Sequence, residues 1–185
     1  MMALVFSEPS LCDLLSKKFT DGGKDQELDF LNEPTLIQNY VNHGAKVFKV
    51  FVIGEKSFVF SRPSLRNIVA NPSEKSDGYF VFNSQNELPS SLKPPEDSDP
   101  MPGEALLAPS QQIVEQLTQS LSSVLGLKLL GYDIITDIDN TNKHYVIDAN
   151  YLPSYRGLTN ANHFILEYLI SLAGKRENTA SNKLH

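Results

Sequence analysis

The chain has 185 residues, 41% of them hydrophobic and 21% charged, an ordinary globular composition that excludes wholesale disorder. Its formal net charge of −6 argues against a general nucleic-acid binder, because such domains are usually basic. No apolar stretch reaches the roughly 18 residues of a membrane span, and Met1-Met2 does not open a basic-then-apolar signal peptide. Cys12 is the only cysteine, so neither an internal disulfide nor a thiolate metal site can form, and a reducing compartment is expected. These features predict a cytoplasmic protein with no nucleic-acid or membrane partner; a monomer is expected.

In chain order, Met2–Phe6 is an apolar run that reads as a buried strand, and Leu11, Leu14 and Leu15 predict a short helix. Pro34 opens an expected strand through Leu36, Ile37, Tyr40 and Val41, which ends at the turn signal Asn42-His43-Gly44. Lys46–Ile53 and Ser57–Ser61 form a predicted hairpin about Gly54-Glu55-Lys56. Between Leu88 and Pro109 lie six of the 11 prolines, the composition of a surface loop or disordered insert. Ser110 caps a helix whose apolar residues Ile113, Val114, Leu117, Leu121, Val124 and Leu125 recur at helical spacing, and Gly126 ends it. Leu129–Thr136 and His144–Ala149 are two more strands, Phe164–Ala173 is a last amphipathic helix, and the chain after Lys175 reads as a frayed tail. Hairpins alternating with single helices predict an α+β fold with a mostly antiparallel sheet.

Charge is unevenly spread. Lys46, Lys49, Lys56, Arg62 and Arg66 stand against the single acid Glu55, a basic segment suited to a small anionic ligand or to blunting strand edges. On its strand Lys49 shares a face with Val47, Phe51 and Ile53, where it either snorkels or positions a phosphate. Arg62-Pro63-Ser64 ends the next strand and exposes a guanidinium and a hydroxyl together.

The strands flanking residues 137–143 carry the most chemistry. A turn symmetric about Asn140-Thr141 puts Asp133 opposite Asp148, with Cβ atoms about 5 Å apart on one face. Asn150 lies two residues further along the same face. Two opposed carboxylates need neutralising, and Mg²⁺ favours such a pair when phosphate oxygens and water complete its shell. A register slip of one residue would reverse the faces and leave an aspartate in solvent.

Taken together, Gln38-Asn39-Tyr40-Val41-Asn42-His43, Arg62-Pro63-Ser64-Leu65, Gly131-Tyr132-Asp133 and Asp148-Ala149-Asn150-Tyr151-Leu152-Pro153 resemble the inositol-tetrakisphosphate 1-kinase family. This family, also called the inositol 1,3,4-trisphosphate 5/6-kinases, has the ATP-grasp fold. The resemblance runs in order from about Met2 to Leu172, is weakest in the proline-rich insert, and covers the C-terminal half of the family only. It implies a partial ATP-grasp domain over 1–175 with an insert at 88–109 and a disordered tail at 176–185. It further implies ATP and an inositol polyphosphate as substrates, with Mg²⁺ in two ions. Gln38, Asn39, Tyr40, Val41, Ser64 and Ser84 would then bind nucleotide, the first four by backbone bonds to adenine. Lys49 and Asp148 would serve catalysis, Lys49, Asn150 and Ser154 the substrate, and Asp133, Asp148 and Asn150 the metal. Ser154 stands where the family has glycine, close to a substrate phosphate. The family's preceding domain and its substrate lysines are not matched, so a truncated gene product with little activity alone is expected. A carboxylate–amine ligase of the same fold and a non-catalytic binding remnant are the alternatives.

Overall fold

The computed structural model describes residues 2–20, 33–68, 78–83, 92–93 and 108–181. Among them, in chain order, are β1 (Met2–Val5), α1 (Glu8–Thr20), β2 (Lys46–Ile53), β3 (Lys56–Pro63) and β4 (Tyr79–Phe82). Then follow α2 (Gln111–Leu125), β5 (Leu129–Thr136), β6 (His144–Tyr151) and α3 (Ala161–Ser181). They divide into two compact units, one drawn from Met1–Ala45 and Ser64–Ser98, the other from Lys46–Pro63 and Asp99–His185. Every strand pairing among the described residues is antiparallel, as the α+β reading expects.

In the first unit β1 pairs with β4, from Met2 opposite Phe82 to Val5 opposite Tyr79. β4 is a strand the sequence pattern does not reveal, because four consecutive aromatic and aliphatic residues show no period. α1 starts after Ser7, whose Oγ accepts from the Ser10 N–H at 3.3 Å. Leu4, Phe82 and Leu92 form the buried cluster, with Tyr40, Leu65 and Ile68 packed against it. Leu92 falls inside the proline-rich insert, yet it is buried, and its carbonyl accepts from the Arg66 N–H at 3.0 Å. That point of the insert is therefore anchored rather than a free loop; most of 88–109 lies outside the described residues. The strand expected from Pro34 to Val41 is not formed. Leu36 and Ile37 are exposed, and with no ladder partner among the described residues their β propensity has nothing to act on.

The second unit is a four-stranded sheet in the order β3-β2-β5-β6. Strand alternation sends Phe48, Val50, Val52, Leu130, Tyr132 and Ile134 to the face covered by α2. α2 is capped as its sequence predicts: Ser110 accepts from Ile113 N–H, and Gly126, at φ 66°, donates to the Ser122 carbonyl. Its buried line, however, is Val114, Thr118 and Ser122, while Val124 and Leu125 of the expected apolar face are exposed. Small polar residues face the sheet because Tyr132 takes up the space. Its hydroxyl meets Thr118 Oγ1 at 2.8 Å and donates to the Val114 carbonyl at 3.0 Å.

The opposite face buries Phe51, Ile53 and Tyr155 beneath α3, which contributes Phe164, Ile165 and Tyr168. α3 runs from Ala161 to Ser181, so it continues past Ala173 into the stretch read as a tail. It covers only one end of this face. No helix among the described residues is long and apolar enough to cross a membrane.

Because Tyr132 is fully buried and ties α2 to the sheet, Tyr132→Phe should lower unfolding free energy by about 1–2 kcal/mol with the fold retained. Urea titration followed by circular dichroism measures it, and an unchanged midpoint would contradict the assigned role.

Candidate functional site

The sheet face left open by α3 carries a row of side chains running across all four strands. Lys49 on β2 stands opposite Phe60 on β3 and opposite Asp133 on β5. Asp133 in turn stands opposite Asp148 on β6. Directly paired residues share a face, so Lys49, Asp133 and Asp148 are neighbours in a line. Arg62, two residues along β3 from Phe60, belongs to the same face.

The Asp133–Asp148 pairing is reached by a route the sequence does not show. The connecting turn is centred on Asn140, so Thr136 faces His144 and Ile134 faces Val146. A register shift between Asp133 and Ile134 then absorbs Ile147 and brings the two aspartates opposite each other. The assumption of a turn symmetric about Asn140-Thr141 is therefore corrected near the turn, while the pairing at the carboxylates stands. Bulges of this kind re-aim side chains.

Electrostatics divide the two carboxylates sharply. Asp133, on an inner strand, is only 7% exposed. Its Oδ2 accepts from Arg62 Nη2 at 2.9 Å, and Lys49 Nζ lies 3.3 Å from its Oδ1. The lysine contact is an ion pair without hydrogen-bond geometry: Oδ1 is buried and has no hydrogen-bond donor among the described residues. The Lys49 stem is held beside Phe51, its Nζ 5.8 Å from the ring centroid. Asp148 and Asn150, on the edge strand, are exposed. Asn150 Nδ2 donates to Asp148 Oδ2, which fixes both side chains on one face and leaves the amide Oδ1 outside that bond.

A hard divalent cation fits this donor set. Asp133, whose buried Oδ1 receives no hydrogen bond among the described residues, is the register partner of Asp148, with Asn150 two residues along; carboxylate and amide oxygens are the ligand types that Mg²⁺ combines with phosphate and water. Among the described residues no group of three or more His, Cys, Asp or Glu is placed to hold a metal ion, so any ion here would rest on two carboxylates and an amide oxygen. Two carboxylates alone leave coordination positions open, which suits a metal that also holds phosphate.

Beyond Asn150 the chain folds back over its own sheet. Asn150 pairs with Gly131, and a Cβ at Gly131 would lie 3.1 Å from Pro153 Cγ and 3.2 Å from its Cβ. A side chain at 131 would crowd Pro153, whose ring would have to give by a few tenths of an ångström. Leu152 and Tyr155 adopt positive φ of 45° and 50°, and the Tyr155 hydroxyl anchors the turn by donating to the Val52 carbonyl at 3.1 Å. Ser154, between Pro153 and Tyr155, is exposed.

The first unit holds the other candidate residues. Gln38 and Asn39 are exposed, and Tyr40 and Val41 are half-buried. Burial pushes the Tyr40 phenol up to about 12, so it stays protonated and donates to the Arg66 carbonyl at 3.1 Å. Asn42 binds both backbone groups of Ile68, donating to its carbonyl at 2.9 Å and accepting from its N–H at 2.7 Å. Gly44 N–H donates to Asn67 Oδ1 at 2.8 Å. His43 is buried between Val41 and Ser64: Nδ1 lies 2.7 Å from the Val41 carbonyl and Nε2 2.9 Å from Ser64 Oγ. A carbonyl only accepts, so Nδ1 carries the proton and, in the neutral ring, Nε2 accepts from the Ser64 hydroxyl. The Asn-His and Arg-Pro-Ser-Leu motifs thus occur together because one segment is knitted to the other. Ser84 lies outside the described residues.

The basic segment is less unified than its composition implies. Lys56 is on the same face as Lys49, but at the α3 end, where it pairs with Glu167 at 2.9 Å and lies over the Phe164 ring. Lys49 and Arg62 alone of the five are paired to Asp133 among the described residues. Sequence reasoning does not join Arg62 to Asp133. The Gly54-Glu55 hairpin could have set Arg62 on the Lys49 face, but the β2–β5 register is long-range and has no local signal.

This sheet, its acidic hairpin and its cations are those of an ATP-grasp domain. The family model of the inositol 1,3,4-trisphosphate 5/6-kinase ATP-grasp domain matches residues 20–171, and the chain belongs to that family. It is similar to inositol-tetrakisphosphate 1-kinase 1 of Oryza sativa subsp. indica, 34% identical over 148 residues, covering 80% of this chain and 41% of the relative. It is also similar to inositol-tetrakisphosphate 1-kinase of Danio rerio, 31% identical over 177 residues, covering 92% of this chain and 38% of the relative. Inositol-tetrakisphosphate 1-kinase 3 of Arabidopsis thaliana is 34% identical over 142 residues, 77% of this chain and 39% of its own length. The chain spans about two fifths of the length of the curated relatives it matches.

Burial holds His43 below its ordinary value of 6.5. Its contribution to stability is therefore complete above about pH 6.5 and is lost as pH falls from there through the folded value, since the unfolded chain takes the proton first. His144, also lowered by burial, adds a slope of the same sign. His43→Gln should cost about 1–2 kcal/mol at pH 7.5 and flatten part of the decline between pH 7 and 5. Urea unfolding at stepped pH measures this, and an unaltered slope would show that His43 is not buried neutral.

Proposed function

We propose that this chain is the metal- and phosphate-handling part of a kinase that phosphorylates hydroxyls of inositol tris- or tetrakisphosphate from ATP. The observation that supports it most directly is the row Lys49–Asp133–Asp148 on one sheet face, with Arg62 and Asn150 beside it, in a member of this family. Asp133, Asp148 and Asn150 would hold Mg²⁺, in two ions where both carboxylates are shared. The metal would supply charge neutralisation across the phosphates of ATP, the main demand of phosphoryl transfer.

The chain's own residues do the rest. Lys49, held between Phe51 and Asp133, offers a positioned ammonium to the transferred phosphoryl group and to the polyanionic acceptor. Asn150 is assigned to both metal and substrate, and exposed Ser154 to a substrate phosphate where the family has glycine. Gln38 to Val41 and Ser64 are assigned to the nucleotide, with His43 holding Ser64 rather than moving a proton. Ser84 keeps its proposed nucleotide role on the resemblance alone. A monomer acting in the cytoplasm completes the reading, and the isolated chain would turn over slowly because it spans only part of its relatives.

Joining the chain to the remainder of the Oryza sativa relative should give Mg²⁺-dependent transfer from radiolabelled ATP to inositol 1,3,4-trisphosphate. In that chimera Asp148→Ala should lower turnover by about 100-fold or more, the scale of removing one electrostatic stabiliser of the transition state. Undiminished turnover would overturn the assignment.

A further inference from the structure

Asp133 has two cations for one carboxylate, and they are held differently. Lys49 rises from the central strand with its side chain 21% exposed, packed along Phe51. Arg62 stands at the end of β3, just before Pro63, with its side chain 53% exposed, and makes the one hydrogen bond that Asp133 Oδ2 receives among the described residues. A divalent ion on Asp133 would bring a third cationic centre to this carboxylate. Like charges at that spacing repel strongly, and the exposed, terminal cation is the one able to leave.

We propose that Arg62 is a displaceable counter-ion. It occupies Asp133 while the metal is absent and is released to bind phosphate oxygens when a divalent cation takes the carboxylate. This inference rests on the metal assignment of the preceding subsection. A guanidinium suits both states, since its planar fork binds carboxylate and phosphate oxygens in the same bidentate manner. The exchange keeps the partly buried Asp133 neutralised at every stage, and delivers a positive charge to the phosphates only when metal is present. Arg62 is thus a positioning residue for metal entry, acting through Asp133.

The test is Mn²⁺ binding to the full chain, read from the electron paramagnetic resonance of free Mn²⁺. Arg62→Gln should bind Mn²⁺ about three- to tenfold more tightly than the wild type, the worth of a partly exposed ion pair, because its competitor is gone. Arg62→Lys, which keeps the charge, should stay within about twofold. In EDTA the Gln variant should melt at a lower temperature than the wild type, and saturating Mn²⁺ should close that gap. Equal or weaker Mn²⁺ binding by Arg62→Gln overturns the counter-ion role while leaving the metal site intact. Absence of Mn²⁺ binding by the wild type, or full binding by Asp148→Asn, overturns the metal assignment itself. Should Arg62→Gln not fold, side-chain nitrogen NMR of the wild type decides: the Arg62 guanidinium resonances should shift and sharpen on adding Mg²⁺, and no change refutes the exchange.

Discussion

A carboxylate withdrawn from water costs on the order of several kcal/mol unless its charge is neutralised, and Asp133 is withdrawn on the inner strand of a four-stranded sheet. Two cations from two other strand positions, Lys49 and Arg62, meet that demand. Their convergence needs the β2–β3 and β2–β5 registers to hold simultaneously, because a slip of one residue in either would turn a cation to the α2 face. The α2 face contains Val50, Tyr132 and Ile134, where an unpaired lysine or arginine would be intolerable. The apolar packing on one side of the sheet and the ion pairs on the other therefore specify the same register.

The acidic hairpin adds a division of labour. Asp133 is fixed from beneath and beside by neighbours, whereas Asp148 and Asn150 lie on an exposed edge and are tied mainly to each other. In the proposed metal site one ligand would be preorganised and the other two could adjust. For the magnesium site proposed here this would be physically apt: an ion that demands near-octahedral geometry needs a fixed reference, but also ligands that yield as phosphate oxygens enter. The bulge at Ile147 serves both ends, since it adds twist at the edge strand and sets Asp148 against Asp133.

How much of this was legible follows from the range of each interaction. β2, the caps of α2 and the Asp133–Asp148 pairing are written locally, in alternation, in Ser110 and Gly126, and in a short turn. Local signals also mislead: Pro34–Val41 has strand-like residues without a partner, and Val124 and Leu125 continue a helical period that the sheet does not cover. β4 and the burial of Leu92 depend on contacts made far along the chain, and so does the Arg62–Asp133 bond. The motif resemblance supplied the candidate site because it encodes those long-range contacts as residue identities. It did not give the reason for them. That reason is visible in the Asn42–Ile68, Gly44–Asn67 and His43–Ser64 bonds, which make two separated motifs one structural element.

The glycine at 131 shows how backbone space and chemistry are joined at this site. It lies on the ligand face, opposite Asn150, and its missing Cβ is the room into which the Pro153 ring folds. On either side of Pro153, Leu152 and Tyr155 adopt left-handed φ, a conformation that costs about 1–2 kcal/mol per non-glycine residue. Tyr155 offsets this by burying its ring against Phe51 and bonding to Val52. Phe51 is also the ring beside Lys49, so the strained turn, the aromatic packing and the ammonium share one support. A side chain at 131 would displace Pro153 first. Through Tyr155 and Phe51, the disturbance would then reach Lys49, the lysine proposed to meet the phosphates.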